Sequence, residues 1–440
     1  MYLGIDIGTT SICAVVLNRE GKAVCTVTEN NTFGQSLACG ERTQDAEKIA
    51  LLCCEIYRKL SEKYDIESIG VSGQMHGILY VDKNGQAVSP LYSWQDERGN
   101  MAYSNSTYVQ TLSCRSGYKL ATGFGTVSVF YDAINGKIPK QAVSVCTIGD
   151  YVAMKLSHRT KPLLHETNAA SIGLYDIQKH KWDCEAIKKA GLPLELFPEV
   201  SLKMVPLGET EKGAYVYNAV GDNQASVYGS LREDDSLLVN IGTGSQVSVL
   251  VKDYCVPAEG CEIRPYFKGN YLLLGCALCG GYSYRLLKNF YNSIFEGEER
   301  ISYEKMNTWA KEAKNKFLPE FSTTFRGTRQ DPNRLASIKF LSEENFNVQA
   351  LTLSVLKGIS AELKKYYEIL AIHAGERKNL VGAGNAIRLN PVLREILQED
   401  YKKELYIPAS KEEAAFGAAL LAAETKEKCD FKNFICYEEE

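Results

Sequence analysis

Apolar and polar positions follow two rhythms along this chain, and their succession predicts an α/β protein. Near the start, apolar residues crowd positions 2–7 and 12–17 around the polar break Gly8-Thr-Thr-Ser11, which predicts two strands joined by a turn. A third strand is expected over 23–27. From 45 to 64 the rhythm changes: Ile49, Leu52, Cys53, Ile56 and Leu60 recur at helical spacing and predict an amphipathic helix. A strand over 68–72 follows and ends in Gly73-Gln-Met-His-Gly77. A hairpin with Asn84-Gly85 as its turn comes next. Between 100 and 200 the pattern predicts a helix over 148–156, a polar and small run at Glu166–Ser171, and irregular chain punctuated by Pro193, Pro198 and Pro206.

The second half opens with a predicted helix over 224–231 and strands over 237–241 and 246–251. Helices are then expected over 280–290, 296–320, 347–371 and 391–397, with a short strand over 379–381. Ser410-Lys-Glu-Glu413 reads as a capping box for a last helix over 414–424, whose Ala415, Gly417, Ala418 and Ala419 suit close packing on a sheet. One feature links the halves. Asp6-Ile-Gly-Thr-Thr-Ser11 is echoed by Asn240-Ile-Gly-Thr-Gly-Ser245, and apolar strands flank both turns. A repeat at about half the chain length predicts a duplicated fold of two domains, 1–216 and 217–440, with a cleft between them. Glycine- and threonine-bearing turns offer backbone N–H groups and hydroxyls that suit phosphate.

Composition narrows the classes. The 440 residues are 45% hydrophobic and 24% charged, ordinary for a globular chain of two domains. A net charge of −4 argues against a nucleic-acid partner. No apolar run approaches the roughly 20 residues a membrane span needs, so no membrane partner is expected. The 14 cysteines are scattered, and Cys276-x-x-Cys279 has no second pair at zinc-site spacing; packed thiols in the reducing cytoplasm are the expectation. A homodimer is left open.

The candidate chemistry gathers on few residues. Asp222 stands at the start of a predicted helix, between Gly221 and Asn223, as a carboxylate able to accept a proton from an attacking hydroxyl or as a simple helix-start acid. Gln74, Met75 and His76 follow a strand, where α/β sheets place ligand loops, although a histidine there also fits a core. Ser93-Trp-Gln-Asp-Glu-Arg98 joins an aromatic face, Trp94, to Asp96 and Arg98; it reads either as a sugar-binding loop or as a surface loop with a partly buried Trp. No Gly-x-x-x-x-Gly-Lys-Ser/Thr run occurs, so a P-loop is excluded.

With Gly73-Gln-Met-His-Gly77, Ser93-Trp-Gln-Asp96, Thr167-Asn-Ala-Ala-Ser171, Gly221-Asp-Asn-Gln-Ala-Ser226 and Gly327-Thr-Arg329 in order, the chain resembles the FGGY carbohydrate kinases over almost its whole length. These belong to the larger group sharing the actin and hexokinase ATPase fold. The resemblance implies two RNase-H-like domains and ATP-dependent phosphorylation of a sugar hydroxyl with Mg²⁺. Within the family it is nearest to the sedoheptulose kinases, with xylulose or a related ketose as the alternative. A non-catalytic actin-like or chaperone-like ATPase is the reading from another class. By position, Asp222 would be the general base and Asp6 would help hold the metal. Thr9 and Thr10 would face the phosphates from one side, and Gly242, Thr243 and Gly244 from the other. Gln74, Met75, His76, Trp94, Asp96 and Asn223 would line the sugar site, and Gly281, Gly384 and Asn385 the nucleoside.

Overall fold

The computed structural model describes residues 1–35, 39–294, 300–313, 317–329 and 331–438. The chain forms two compact units. The first comprises Met1–Arg232, Arg264–Gly269 and Glu412–Ile435; the second comprises Glu233–Ile263, Asn270–Lys411 and Cys436–Glu440.

The first unit is built on a seven-stranded sheet of β1 (Tyr2–Ile7), β2 (Ser11–Leu17), β3 (Ala23–Asn30), β4 (Ser68–Gly73), β5 (Pro206–Glu209), β6 (Tyr215–Tyr217) and β7 (Val220–Gly221). The order is β5-β6-β4-β1-β2-β3, with β7 also on β4. β1, β2 and β3 form an antiparallel meander, and β4 runs parallel to β1. The apolar run of β1 is buried throughout (Leu3, Ile5, Ile7), as expected where helices cover both faces of a sheet. The helix Ala46–Ser61 turns Ile49, Cys53, Ile56 and Leu60 into this core. Asp45 caps it, its side chain accepting from the Lys48 N–H. The helix Glu413–Glu427 lies against β1 so closely that a Cβ on Gly4 would stand 1.9 Å from the Ala415 carbonyl oxygen.

The second sheet consists of β8 (Ser236–Ile241), β9 (Ser245–Val251), β10 (Cys261–Pro265), β11 (Tyr271–Ala277), β12 (Asn379–Ala383) and β13 (Leu405–Tyr406), in the order β10-β11-β9-β8-β12-β13; it belongs to the second unit except for Arg264 and Pro265 of β10, which fall in the first. Leaving out edge strands, both sheets share one plan. Three antiparallel strands, β11-β9-β8 or β3-β2-β1, are extended by two parallel ones, β12-β13 or β4-β6. That is the RNase-H-like arrangement twice over, as the repeat at 6–11 and 240–245 predicts. The long helix Val348–Ala374, capped by Asn347, packs Val355, Ile359 and Leu363 into the second core with Val247 and Val249.

Four expectations change. The boundary expected at 216/217 falls inside β6, which pairs with β4 in the first sheet. The irregular chain expected over 193–206 contains the strand Glu199–Ser201, parallel to Leu163–His165. Prolines at its flanks interrupt the pattern without preventing a three-residue pairing. The helix expected over 296–320 is Tyr303–Glu312, capped by Ser302; residues 296–299 and 314–316 of that span lie outside those described. The capping box at Ser410 does not form: the last helix begins at Glu413, its N-cap is Glu412, and no side chain caps it.

Candidate functional site

In the first unit, three strand ends and one helix start bring the candidate residues into reach of one another. Asp6 stands near the end of β1, level with Ser72 on β4. The Ser72 hydroxyl donates to Asp6 Oδ1 at 2.7 Å. Burial pushes the Asp6 carboxyl up to about 6; Glu412 adds to the rise, and the Ser72 hydrogen bond opposes it.

Asp222 is the first residue of the helix Asp222–Ser230, with Gly221 as N-cap. Its Oδ1 accepts from the Asn223 N–H at 2.7 Å, a local bond typical of an acid in the first helical turn. Burial, and then the charge of Asp6, hold the Asp222 carboxyl up at about 7, against the Asn223 N–H and the Arg264 guanidinium. Arg264 also donates to Asn223 Oδ1 at 3.2 Å. The Gly221 N–H is held in turn by the Thr167 hydroxyl at 3.1 Å, so the start of this helix is anchored from behind.

The loop after β4 is tightly fixed. Gln74 is buried, and its N–H donates to the Ile7 carbonyl at 2.8 Å. Met75 is buried, with its sulfur 4.0 Å from Arg264 Nη1. His76 takes a left-handed backbone (φ 74°). It is stacked on Phe124 with centroids 4.5 Å apart, and Nδ1 lies 2.8 Å from the Ser171 carbonyl oxygen. A strained non-glycine residue locked by ring and backbone contacts marks a position whose geometry is over-determined.

In the second loop, Asp96 is buried and engaged by Arg98, whose Nε lies 3.0 and 3.1 Å from the two carboxylate oxygens. Arg98 also donates to Asp132 at 3.2 Å. Trp94, in contrast, is 47% exposed, and its indole N–H donates to the Thr9 hydroxyl at 2.9 Å. Thr9 therefore sits against the loop that carries Trp94 as well as in the first turn. Thr10 is exposed beside it.

In the second unit, the hairpin tip Gly242-Thr-Gly244 is closed by a bond from the Gly242 N–H to the Gly244 carbonyl at 3.0 Å. The first turn closes one residue later, Gly8 N–H to Ser11 carbonyl at 2.9 Å, so the two echoed turns differ in length. The Gly281 N–H donates to the Gly242 carbonyl at 2.8 Å, and the Gly280 N–H to Thr243 at 2.9 Å. Gly384 (φ 88°) abuts β8: a Cβ there would stand 2.5 Å from the Ile241 carbonyl oxygen. Asn385, exposed, opens the short helix Asn385–Arg388. Gly242–Gly244, Gly281 and Gly384 thus converge on one end of this sheet. Nearby, the Cys276 thiol donates to Gln246 Oε1 at 3.5 Å, and Cys279 is buried.

Sequence reasoning missed Arg264, Gln44 and Ser72. Arg264 lies in β10, distant in sequence from Asp222, and no motif surrounds it. Gln44 belongs to a strand of two residues, too short to leave a periodic signal.

Comparison with known proteins agrees with this plan. Residues 1–226 match the N-terminal domain of the FGGY family of carbohydrate kinases. A sedoheptulokinase from Mus musculus is 30% identical over 95% of this chain and 96% of its own. A xylulose kinase from Rhodospirillum rubrum shares the fold with a TM-score of 0.86 at 17% identity, over 100% of this chain and 93% of that one. A glycerol kinase from Plasmodium falciparum, solved with ADP, gives 0.81 at 19% identity, over 97% of this chain and 90% of that one.

Proposed function

The chain belongs to the FGGY family of carbohydrate kinases, and from that premise we propose that it transfers the γ-phosphoryl group of ATP to a hydroxyl of a ketose, sedoheptulose in the first place. The observation that carries the chemistry is Asp222: a carboxylate at a helix start, raised to about 7 and flanked by Asn223 and Arg264. A general base works best with its proton affinity near the working pH, which is where burial and Asp6 hold this group. The choice of sedoheptulose is supported by the sequence likeness to the mouse enzyme over nearly the whole of both chains.

In this reading the ketose lies along Trp94, with its C–H face on the exposed ring and its hydroxyls toward the loops at Gln74–His76 and Asn223. Asp96, paired with Arg98, keeps that loop in shape and offers its remaining acceptor capacity to the sugar. Asp222 receives the proton of the attacking hydroxyl. Thr9 and Thr10 offer their hydroxyls to phosphate oxygens. In the second unit Thr243 and Gly244 offer backbone N–H groups to phosphate, the Gly242 N–H being spent on closing the turn, and Gly281, Gly384 and Asn385 are assigned to the nucleoside. The transition state of phosphoryl transfer is loose, so these residues act mainly by holding the hydroxyl and phosphorus in line. The ADP in the Plasmodium glycerol kinase supports a nucleotide on this fold.

The donor set fits a hard divalent cation. Asp6 is a carboxylate lifted to about 6 by burial and by Glu412, and a nearby positive charge would relieve that cost. No group of three or more His, Cys, Asp and Glu ligands converges among the described residues, so water and phosphate oxygens would complete the coordination, as Mg²⁺ prefers. When bound, Mg²⁺ would neutralise charge on the nucleotide phosphates. Coupled ADP release across sedoheptulose, xylulose, ribulose, glycerol and gluconate tests the substrate. Sedoheptulose should give the highest kcat/KM; a markedly higher value for xylulose would replace it.

A further inference from the structure

We propose that Trp94 is a positioning residue whose indole N–H aims the Thr9 hydroxyl at the transferred phosphate and so makes nucleotide binding depend on the sugar. The inference rests on the kinase reading above and adds to it a specific route by which one substrate prepares the site for the other.

Four hydrogen bonds carry the argument. Trp94 Nε1 donates to Thr9 Oγ1 at 2.9 Å. The Thr9 hydroxyl donates to Gln74 Oε1 at 3.4 Å. Gln74 Nε2 donates to Gln44 Oε1 at 2.7 Å, and Gln44 Nε2 donates back to the Thr9 carbonyl at 2.9 Å. Gln74 and Gln44 are buried. The Thr9 main chain is therefore fixed by short bonds within a buried pair of amides.

Its hydroxyl is held differently. An indole N–H only donates, so it occupies a lone pair of Oγ1 and leaves the single hydroxyl proton to be spent elsewhere. The contact with Gln74 that uses this proton is long, beyond the usual range for a hydroxyl donor and an oxygen acceptor. A charged phosphate oxygen is a better acceptor than a neutral amide at that distance. The hydroxyl is thus poised to exchange Gln74 for a phosphate while Trp94 keeps it oriented.

Trp94 is equally divided between fixed and free. Its backbone is clamped: a Cβ on Gly123 would stand 2.0 Å from the Trp94 carbonyl oxygen, and the preceding Ser93 donates through both N–H and hydroxyl to the Arg42 carbonyl at 3.0 Å. Its ring is 47% exposed. A sugar laid on that ring restricts the very group that holds Thr9. Were the contact only packing, the two substrates would bind independently; a shared, orientable hydrogen bond makes their affinities interdependent, and linkage requires the effect to be reciprocal.

The test uses the full-length protein and four variants: Trp94→Phe, which keeps the ring and removes the N–H; Thr9→Val, which keeps the shape and removes the hydroxyl; the double variant; and Thr9→Ser, which restores the hydroxyl. Affinity for a non-hydrolysable ATP analogue is measured by titration calorimetry with and without the ketose that the wild type turns over fastest. The ketose should tighten analogue binding to the wild type. Trp94→Phe and Thr9→Val should each lose about five-fold of that enhancement, the scale of one net hydrogen bond. The double variant should lose no more than either alone, and Thr9→Ser should keep most of the enhancement. Where Thr9→Val fails to fold, Trp94→Phe against Thr9→Ser makes the same comparison. An undiminished enhancement in Trp94→Phe, or additive losses in the double variant, overturns the inference. A wild type without ketose-dependent turnover overturns instead the kinase reading beneath it.

Discussion

Asp6 and Asp222 belong to the same compact unit, and the charge on Asp6 is the second largest influence holding the Asp222 carboxyl near 7, after burial. Two carboxylates that disfavour each other's ionisation store a preference for positive charge. The pH dependence follows from the sign of that shift. As the proposed base, Asp222 must be ionised, so kcat/KM should rise with pH through an apparent pKa near 7 in the free enzyme. Stability should run the other way. Both groups are raised above the ordinary carboxylate value, so the folded state keeps protons that the unfolded chain releases. Folding stability should therefore fall as pH climbs from about 4 to about 7. Asp222→Asn should melt higher than wild type at pH 8 and similarly at pH 4. Calorimetric scans at the two pH values check this, and a variant less stable than wild type at pH 8 would contradict it.

Arg264 opposes the rise at Asp222 and donates to Asn223. Arg264→Met should shift the acidic limb of the kcat/KM profile upward in pH, besides any effect on KM. A pH–rate profile with an unmoved limb would separate Arg264 from the base.

Arg98 is almost wholly buried between Asp96 and Asp132, with 3.0 and 3.2 Å contacts. Its guanidinium also lies 4.1 Å from the Tyr92 ring centroid. Arg98→Leu leaves two carboxylates buried without their cation. A loss of about 3–5 kcal/mol is expected from such an unpaired buried charge. Urea denaturation checks it. Replacing Asp96 and Asp132 by Asn in the same background should recover part of the loss.

The helix carrying Asp222 rests on the last helix at a point where only glycine fits. A Cβ on Gly417 would stand 2.0 Å from the Ala225 carbonyl oxygen. The Tyr228 hydroxyl donates to Glu424 across the same contact. Gly417→Ala must push the two helices apart, and overpacking of this kind costs about 1–3 kcal/mol. Because a misplacement near 1 Å at a reacting group is costly, kcat should fall about 100-fold in the folded fraction. Activity per folded molecule, measured with the melting curve, distinguishes the two effects.

What the sequence revealed was set by the range of the physics involved. The turns at 8–11 and 242–244 were legible because strand alternation and glycine act locally, and their echo exposed the duplicated sheet. The start of the Asp222 helix was legible to within two residues for the same reason. The capping box at Ser410 was misleading: its four residues satisfy the pattern, but the helix begins at Glu413, and Glu412 stands close enough to Asp6 to raise it. Tertiary position prevailed over local preference. The pairing of Asp96 with Arg98 was not legible, because it depends on Asp132 from elsewhere in the chain. Arg264 and Gln44 were invisible because their partners lie far away in sequence.

The central claim, that this kinase acts through Asp222, meets its most direct test in sedoheptulose-dependent ADP formation by the wild type and Asp222→Asn, alongside ATP-analogue affinity. The wild type should turn over sedoheptulose. Asp222→Asn should lose at least about 100-fold in kcat, the lower end of the contribution of a general base, while binding the analogue nearly as tightly. Retention of most of the wild-type turnover in Asp222→Asn would contradict the account.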